Sequence, residues 1–261
     1  MPDSPTPAHQ QIAAALLGAQ HVVVLTGWLF GLYDEDAIQA TRTTWSQDAN
    51  LEVLLTDPAA FWRATLPAAA TMATREITPA HRALTRLQHA GIIEHLITQS
   101  VDHRQTISGA HDVIEVHGNL LTARCTRCGE RYGLEEVRAL IDAAADAVPR
   151  CTARECAYPL RPSSTLWGEP LIEDAVRTAW EVTTAADCFV VIDSDLRAVP
   201  MSLLPSVPLT RGVPLIMLGE TPTQYDRYAS VLVREPSDPV LVALANLVLS
   251  LIHISEPTRP Y

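Results

Sequence analysis

The spacing of the cysteines constrains the fold of this chain more than any other feature of its sequence. Four of the five cysteines form two close pairs, Cys125 with Cys128 and Cys151 with Cys156, and 22 residues separate the pairs. Two thiolates on each of two tight turns can meet around one tetrahedral zinc ion. Because sulfur fills all four positions, the spacing predicts a structural Zn²⁺ site that leaves no open position for water.

The alternative for these four residues is a set of unrelated buried thiols, which their regular spacing disfavours. Gly129 follows the first pair, where a tight turn favours a small residue. The fifth cysteine, Cys188, begins an apolar run and is interpreted as a small core residue. Five cysteines in 261 residues are too few for a disulfide framework, so a reducing, cytoplasmic location is expected.

The composition predicts a folded, acidic protein. Apolar residues make up 48% of the chain, and the formal net charge is −11. A nucleic-acid-binding zinc ribbon needs a basic surface to replace counterions, so no nucleic-acid partner is expected. Residues 1–11 lack the features of a secretory signal, and no apolar stretch approaches the ~18 residues of a membrane helix. No membrane association is expected, and the sequence leaves the oligomeric state open.

Outside the cysteine segment, short apolar runs alternate with helical patterns. Runs typical of buried parallel strands occur at 21–25, 92–97, 113–116, 188–192, 215–218 and 230–233. Helical patterns fall between them, the clearest at 9–20, 79–91, 173–185 and 238–251. This alternation predicts an α/β fold with a doubly wound, mostly parallel Rossmann-like sheet and a small inserted zinc-binding module. The expected larger domain comprises 9–117 and 166–251, and the expected module comprises 118–165.

The last ten residues, 252–261, do not continue the alternating pattern. We interpret them as a non-native or disordered tail, such as a translated cloning or assembly scar, and exclude them from reasoning about the fold. Sequencing of the source locus would contradict this interpretation if it showed the same codons in frame with the rest of the gene.

A series of short motifs surrounds the cysteine pairs. In chain order they are PAHRAL at 79–84, TQSVD at 98–102, VIEVHGN at 113–119, LRP at 160–162, WGEPL at 167–171 and VVIDSDLRAVP at 190–200. In their order and spacing these motifs resemble those of the sirtuins, a family of NAD-dependent protein-lysine deacylases, over about residues 20–250. Any single motif is weakly specific, whereas six in the same order are strongly specific.

The resemblance implies that His117 is the general base on a ribose hydroxyl of NAD. A lone histidine is more simply a hydrogen-bonded core residue, but the adjoining Gly118 and cysteines favour the catalytic interpretation. The implied substrate is an acyl-lysine protein or peptide, bound at Trp167, Gly168 and Glu169. The implied NAD contacts fall on Thr26, Gly27, Gln99, Ser100, Val101, Asp102, Asp193, Ser194, Asp195 and Gly219.

The sequence departs from the family pattern at positions that would meet NAD. Trp28 and Leu29 replace small residues, and they would crowd a diphosphate unless the loop takes another path. Asp193–Ser194–Asp195 replaces Gly-Thr-Ser and adds negative charge opposite a diphosphate. The remaining departures at these positions are Ser100 for an asparagine, Gly219 for an asparagine near the adenosine ribose, and Arg42 as an offset candidate for the loop arginine. Away from NAD, Trp167 replaces a phenylalanine that, by the same resemblance, walls the acyl-lysine tunnel, so the acyl size or tunnel width is expected to differ.

Two functions therefore stay open from the sequence. The first is a working NAD-dependent deacylase, supported by His117, Gln99 and Asp102. The second is a catalytically silent sirtuin-fold binding or scaffold protein that still holds acyl-lysine peptides, supported by the departures at the cofactor positions. Fold alone does not decide between them, because one fold can carry different functions. The sequence indicates neither the acyl group nor the target protein.

Overall fold

The computed structural model describes residues 5–31 and 50–255. Two sheets form within these residues. Their strands are β1 Val22–Thr26, β2 His95–Thr98, β3 Ile114–Glu115, β4 Thr122–Cys125, β5 Arg131–Gly133, β6 Leu160–Pro162, β7 Cys188–Ile192, β8 Leu215–Leu218 and β9 Val231–Val233. The larger is a six-stranded parallel sheet in the order β3-β2-β1-β7-β8-β9, and the smaller is a three-stranded antiparallel sheet in the order β5-β4-β6.

Helices separate the strands of the parallel sheet except between β8 and β9, where only a 3₁₀ turn at Asp226–Tyr228 intervenes, and this arrangement confirms the predicted doubly wound α/β fold. Several helices begin where the sequence places a capping residue. Thr78, for example, accepts a hydrogen bond from the backbone N–H of His81 with Pro79 in the first turn. The helices are α1 Pro7–Gly18, α2 Leu51–Thr56, α3 Pro58–Ala73, α4 Pro79–His89, α5 Arg104–Ile107, α6 Leu134–Ala143, α7 Glu173–Ala185, α8 Ser206–Leu209 and α9 Ser237–Ser255.

The strand predicted at 92–97 begins later than expected. Ile92 and Ile93 both donate their backbone N–H to the carbonyl of Leu87, at 3.0 and 3.4 Å, so they close the end of α4. Gly91 makes this closure possible with a φ of +72°, a conformation that favours glycine at helix ends. The apolar run therefore serves first as a helix terminus, and the strand starts only at His95.

Both faces of the parallel sheet are covered, because alternate residues of its central strands enter two different cores. Val22 and Val24 of β1 pack in a cluster with residues of α1, α4 and α9. Val23 and Leu25 point to the opposite face and pack with Phe189 of β7 and residues of α7. All five residues of β1 are buried, as are all five of β7. This burial explains why these strands are continuous apolar runs.

The zinc-binding module shares its core with a segment that the sequence assigned to the larger domain. Phe61 and Trp62 of α3 pack against Tyr132, Val137 and other apolar residues of the module. The module itself contains the antiparallel sheet and α6. The domain boundaries stay predictions, and the structure adds that α3 contributes to the module's core.

The closing helix α9 runs past the boundary predicted at residue 251. It continues to Ser255, and Ile252 packs against the main core. The origin of residues 252–261 stays a prediction, and those from 256 onward lie outside the described residues. Among the helices that the structure describes, none is long and apolar enough to cross a membrane.

We expect Gly27→Ala to destabilise the fold severely, because a Cβ at this position would lie 1.8 Å from the carbonyl oxygen of Asp193. The expected loss is about 3 kcal/mol or more in the free energy of unfolding, measured by urea denaturation. Gly18→Ala is the matched control, since nothing lies within 4 Å of its Cβ position. Equal unfolding midpoints for the two variants would contradict the packing described here.

Candidate active site

The carboxyl ends of β1 and β7 meet at the point where the strand order of the parallel sheet reverses. In doubly wound folds, ligands bind in the crevice outside the carboxyl ends of the strands at such a point. The backbone N–H of Gly27 donates to the carbonyl of Ile192 at 2.8 Å, and Gly27 packs directly on the backbone of Asp193. Only a glycine permits this approach, which explains why Gly27 stands at the end of β1.

A network of buried polar side chains lines this carboxyl edge. The Oγ of Ser194 donates to Oε1 of Gln99 at 2.6 Å, so β7 and β2 are tied together across β1. Thr26 accepts a hydrogen bond of 2.6 Å from Nε2 of Gln105 and donates one of 3.0 Å to Thr98. The Oε1 of Gln105 is buried without a hydrogen-bond partner among the described residues. A buried acceptor of this kind fits a polar ligand that carries donors.

Sequence reasoning missed Gln105, since no motif marks it. It lies in the short helix α5, which brings its side chain back to Thr26 at the end of β1. Gln105 lies three residues beyond Asp102, and its burial is what indicates a role at the site. The sequence does not reveal that burial, because the helix is mostly polar.

The loop after β2 brings Ser100, Val101 and Asp102 into buried positions. The N–H of Ser100 donates to Thr98 at 3.1 Å, and Asp102 accepts from the N–H of Arg104 at 3.1 Å. Val101 packs instead in an apolar cluster with Met72, Leu120 and their neighbours. Its contact with NAD stays a prediction, and its position is that of a core residue supporting the loop.

His117 follows β3 at the same edge of the sheet. The N–H of Val116 still pairs with the carbonyl of Thr98, at 3.2 Å, and the carbonyl of His117 accepts from Thr165 at 2.8 Å. His117 as a whole is only 6% exposed, and this burial lowers the pKa of its imidazole to about 4. The imidazole is therefore neutral near pH 7 and able to accept a proton.

Glu115 links the loop after β2 to the turn that carries His117. Its carboxylate accepts a hydrogen bond of 2.5 Å from Nδ1 of His103 and one of 2.9 Å from the side-chain amide of Asn119. The hydrogen bond to Glu115 raises the pKa of His103, which favours a charged pair. Glu115 and His103 were not among the predicted site residues, although both fall inside or beside the motifs.

The loop after β1 turns back at Gly27 and buries Phe30 in the core. Phe30 is fully buried and meets the ring of His81 edge-on, with ring centroids 4.7 Å apart. The N–H of Phe30 closes a turn onto the carbonyl of Gly27 at 3.3 Å, which leaves Trp28 and Leu29 half-buried. Whether these two side chains crowd a diphosphate stays a prediction. The candidate arginine at position 42 lies outside the described residues.

The two carboxylates after β7 have hydrogen-bond donors within the protein. Asp193 accepts from the hydroxyl of Ser237 at 2.5 Å, and Asp195 accepts from the N–H of Arg197 at 3.3 Å. Burial raises the pKa of Asp193 to about 6. Gly219, at the end of β8, has a φ of +115° and lies directly beside Asp193. The predicted positions 193 and 219 are thus brought together.

The predicted substrate residues divide into an exposed and an anchored part. Trp167 is 66% exposed, and Gly168 follows it with a φ of +91°. Glu169 makes two hydrogen bonds to the guanidinium of Arg161, at 2.5 and 2.6 Å. Burial opposes ionisation of Glu169, but these bonds lower its pKa. Glu169 therefore anchors this segment, while Trp167 is accessible to a substrate.

The four paired cysteines come together as predicted. Their sulfur atoms all lie within 4.8 Å of one another, with Cys125 to Cys156 at 3.7 Å and Cys128 to Cys151 at 3.5 Å. Four thiolates around Zn²⁺ at ~2.3 Å would be separated by ~3.8 Å, so the cluster fits a zinc ion. The hydroxyl of Tyr132 also donates to the sulfur of Cys151 at 3.2 Å, a supporting contact that the sequence did not reveal.

The protein belongs to the class of doubly wound α/β folds of the nucleotide-binding type. Within that class it is marked by a buried histidine at the ligand edge of the sheet and by a four-cysteine module that fits zinc. The model of the Sir2 family matches residues 29–200, about two thirds of the chain. The chain belongs to the Sir2 family, the sirtuins.

Individual relatives extend this similarity over nearly the whole chain. An NAD-dependent protein deacetylase of Caldivirga maquilingensis is 30% identical over 246 residues, which are 92% of this chain and 93% of that protein. NAD-dependent protein deacetylase 2 of Caldanaerobacter subterraneus is 32% identical over 250 residues, 92% and 96% of the two chains. A solved structure described as "Sir2-p53 peptide-NAD+" has a TM-score of 0.76 at 27% identity and covers 94% of this chain and 99% of its own.

We expect Cys128→Ser to lose most of the bound zinc and to lower the unfolding temperature, because a structural zinc site contributes directly to folding. Cys188→Ala is the matched control, since Cys188 lies in the core of the parallel sheet, away from the cluster. Metal analysis of the purified proteins by mass spectrometry measures the zinc content. Unchanged zinc content in Cys128→Ser, or equal loss in both variants, would contradict the assignment.

Proposed function

We propose that this protein is an NAD-dependent protein-lysine deacylase that acts on acyl-lysine side chains of a protein or peptide. The observation that carries the proposal is the position of His117, buried and neutral, at the same sheet edge as Gln99 and Ser194. The relatives support it, because they are NAD-dependent protein deacetylases and one solved neighbour combines a peptide with NAD.

The residues at the carboxyl edge fit NAD as the co-substrate. Gly27 lets the ends of β1 and β7 pack closely at the edge of the crevice, and the buried amide of Gln105, bound to Thr26, offers an unused acceptor there. Gln99 is held by Ser194, so its amide is oriented before a ligand arrives. When bound, NAD supplies the ribose that takes over the acyl group. These residues would hold that ribose and the groups attached to it.

In this proposal His117 accepts a proton from a ribose hydroxyl at one of its imidazole nitrogens. Its burial removes water that would compete for the same proton and keeps the ring neutral. Glu115 acts as a positioning residue, since it holds Asn119 in the turn that carries His117 and ties this turn to His103 in the loop after β2. Gly118 has no room for a Cβ, which would lie 2.1 Å from the carbonyl oxygen of Ser163, so the catalytic turn packs tightly against the exit from the zinc module.

The acyl-lysine substrate is proposed to reach His117 past Trp167. The indole of Trp167 is exposed, while the backbone of this segment is held in place. The N–H of Leu51 donates to the carbonyl of Trp167, and Arg161 forms an ion pair with Glu169. An aromatic ring held in this way can pack along the aliphatic part of a lysine side chain. The zinc site would act at a distance, by holding the strand β6 that leads into this segment.

We expect His117→Asn to reduce kcat/KM for an acetyl-lysine peptide by about 10²- to 10⁴-fold, because it removes the general base. The zinc content and the unfolding midpoint should stay close to those of the unmodified protein. His111→Asn is the matched control, since His111 is exposed and lies outside the proposed site. Mass spectrometry of the peptide, with and without NAD, measures turnover. Full activity of His117→Asn would exclude it as the base.

The alternative of a catalytically silent binding protein makes a different prediction in calorimetry. The deacylase should bind NAD, whereas a silent binding protein should bind an acetyl-lysine peptide without binding NAD at millimolar concentration. Titration of each ligand into the zinc-loaded protein separates the two functions. Absence of NAD binding together with retained peptide binding would replace the proposed function with the alternative.

We expect kcat/KM for the peptide, at saturating NAD, to be flat from about pH 8 down to about pH 5.5. The active form of His117 is the neutral one, and burial lowers its pKa to about 4, so activity should be lost only as the pH falls toward that value. An ordinary exposed histidine would give a decline near its usual pKa of about 6.5. A decline centred there would contradict this expectation, whether the titrating group is a solvated His117 or Asp193, whose pKa burial raises to about 6.

A further inference from the structure

Three arginines lie side by side across the antiparallel sheet of the zinc-binding module. Arg124 of the central strand β4 lies directly opposite Arg131 of β5 on one side and directly opposite Arg161 of β6 on the other. Residues directly opposite each other in an antiparallel pair have Cβ atoms about 4.5–5.5 Å apart. We call this row of three side chains the arginine ladder.

The arginine ladder lies on the outer face of the sheet. Successive side chains along a strand alternate between its two faces. Ala123 and Cys125, on either side of Arg124, are buried in the core of the module, and Tyr132, next to Arg131, is buried in the same core. The ladder therefore faces away from that core, and Arg124 and Arg131 are exposed.

One member of the ladder has a carboxylate partner, and the other two have none among the described residues. Arg161 is paired with Glu169, and both side chains are mostly shielded from water. Burial lowers the pKa of Arg124, the charges of Arg161 and Arg131 lower it further, and Glu169 acts in the opposite direction. Like charges directly opposite each other destabilise a sheet. A negatively charged partner from outside the described chain would relieve this repulsion.

The charge of the module differs from that of the whole protein. Residues 118–165 contain seven arginines and six acidic residues, whereas the whole chain has a formal net charge of −11. Guanidinium groups bind carboxylates through paired, charge-assisted hydrogen bonds. A positive face on an acidic protein is complementary to an acidic partner, while the acidic body repels a long phosphate backbone. The charges therefore favour a partner that carries carboxylates.

The inner end of the ladder adjoins the segment that carries Trp167. The guanidinium of Arg161 donates to the carbonyl of Ser164 at 3.1 Å, and its partner Glu169 accepts from the N–H of Leu166 at 2.8 Å. The ladder thus runs outward across the module from the segment proposed to meet the substrate. A substrate chain that passes Trp167 and continues over the module would lie over the two unpaired arginines.

The width of the ladder matches a short stretch of polypeptide. Neighbouring strands lie about 4.8 Å apart, so the three arginines span about 10 Å from β5 to β6. An extended peptide covers that distance with about three residues, at about 3.3 Å each. A short run of acidic residues is therefore long enough to neutralise the ladder.

We propose that the arginine ladder is an interaction surface for an acidic stretch of the substrate, so that this protein selects acyl-lysines flanked by aspartate or glutamate. The proposal rests on the proposed function, because it takes the occupant to be the polypeptide that carries the acyl-lysine. Arg124 and Arg131 are the specificity-determining residues, while Arg161 keeps its pairing with Glu169.

The test compares two acetyl-lysine peptides of equal length that carry either glutamates or glutamines around the lysine. We expect kcat/KM for the glutamate peptide to be higher by about fivefold or more at low salt, and the difference to shrink as salt is added. It should lie in KM with kcat unchanged, because the flanking carboxylates contact the protein equally before and during the reaction. An acidic protein without such a surface would disfavour the glutamate peptide.

The double variant Arg124→Gln with Arg131→Gln should lose this preference. Its zinc content should be unchanged and its unfolding midpoint equal or higher, because the substitutions remove a repulsion between like charges. Arg138→Gln with Arg150→Gln is the matched control, since it removes the same charge from the same module at two arginines that pair with carboxylates of their own. The control should keep the preference within about twofold.

The outcomes separate this proposal from the proposed function. Turnover of both peptides without a preference for glutamate, or with a preference that persists in the ladder variant, would overturn this proposal alone. Equal loss of the preference in both double variants would overturn it in favour of a general field. Absence of turnover with either peptide would overturn the proposed function, and calorimetric titration of the same two peptides would then decide whether the ladder binds acidic polypeptide.

A short single-stranded oligonucleotide, titrated under the same conditions, tests the other class of polyanion. We expect it to bind more weakly than the glutamate peptide, because the acidic body of the protein repels its phosphates. Binding at least as tight as that of the peptide, and lost in the ladder variant, would assign the surface to a nucleic acid and overturn the proposal.

Discussion

The close contact between β1 and β7 is the constraint on which the rest of the site depends. Gly27 packs on the backbone of Asp193 with no space for a Cβ, so the two central strands end level with each other. This level edge allows Ser194 to reach Gln99 across β1 and Gln105 to reach Thr26. A larger residue at position 27 would push the ends of β1 and β7 apart. The hydrogen bonds that join polar side chains across these strand ends would then be disrupted.

A second close contact joins the catalytic turn to the zinc-binding module. Gly118 lies against the carbonyl of Ser163, and the carbonyl of His117 accepts a hydrogen bond from Thr165. The segment that leaves the module thus forms one wall of the turn that carries the histidine. The cysteine cluster is tied to the position of this wall, because β6 pairs with β4 up to Cys125, which lies opposite Leu160.

Much of this structure could be predicted from sequence patterns, and the exceptions have physical causes. The runs at β7 and β8 and the helix α7 were located to the residue, because burial on both faces or a regular helical period leaves a strong local signal. The zinc cluster was evident from cysteine spacing alone. Glu115, Gln105 and Tyr132 were missed, because their roles depend on partners distant in the sequence. The pairing of Asp193 with Gly219 was missed for the same reason, since it becomes visible only when β7 lies beside β8.

The shared core of α3 and the zinc module has a consequence for how such a domain can change in evolution. Phe61 and Trp62 are buried among apolar residues of the module, although they precede it by about 60 positions along the chain. A module transplanted from a relative without the matching α3 would bring a foreign surface to these two aromatic rings. The module and α3 therefore form one packing unit that is discontinuous in the sequence. Recombination that preserves this shared core must exchange two separate stretches of the gene together.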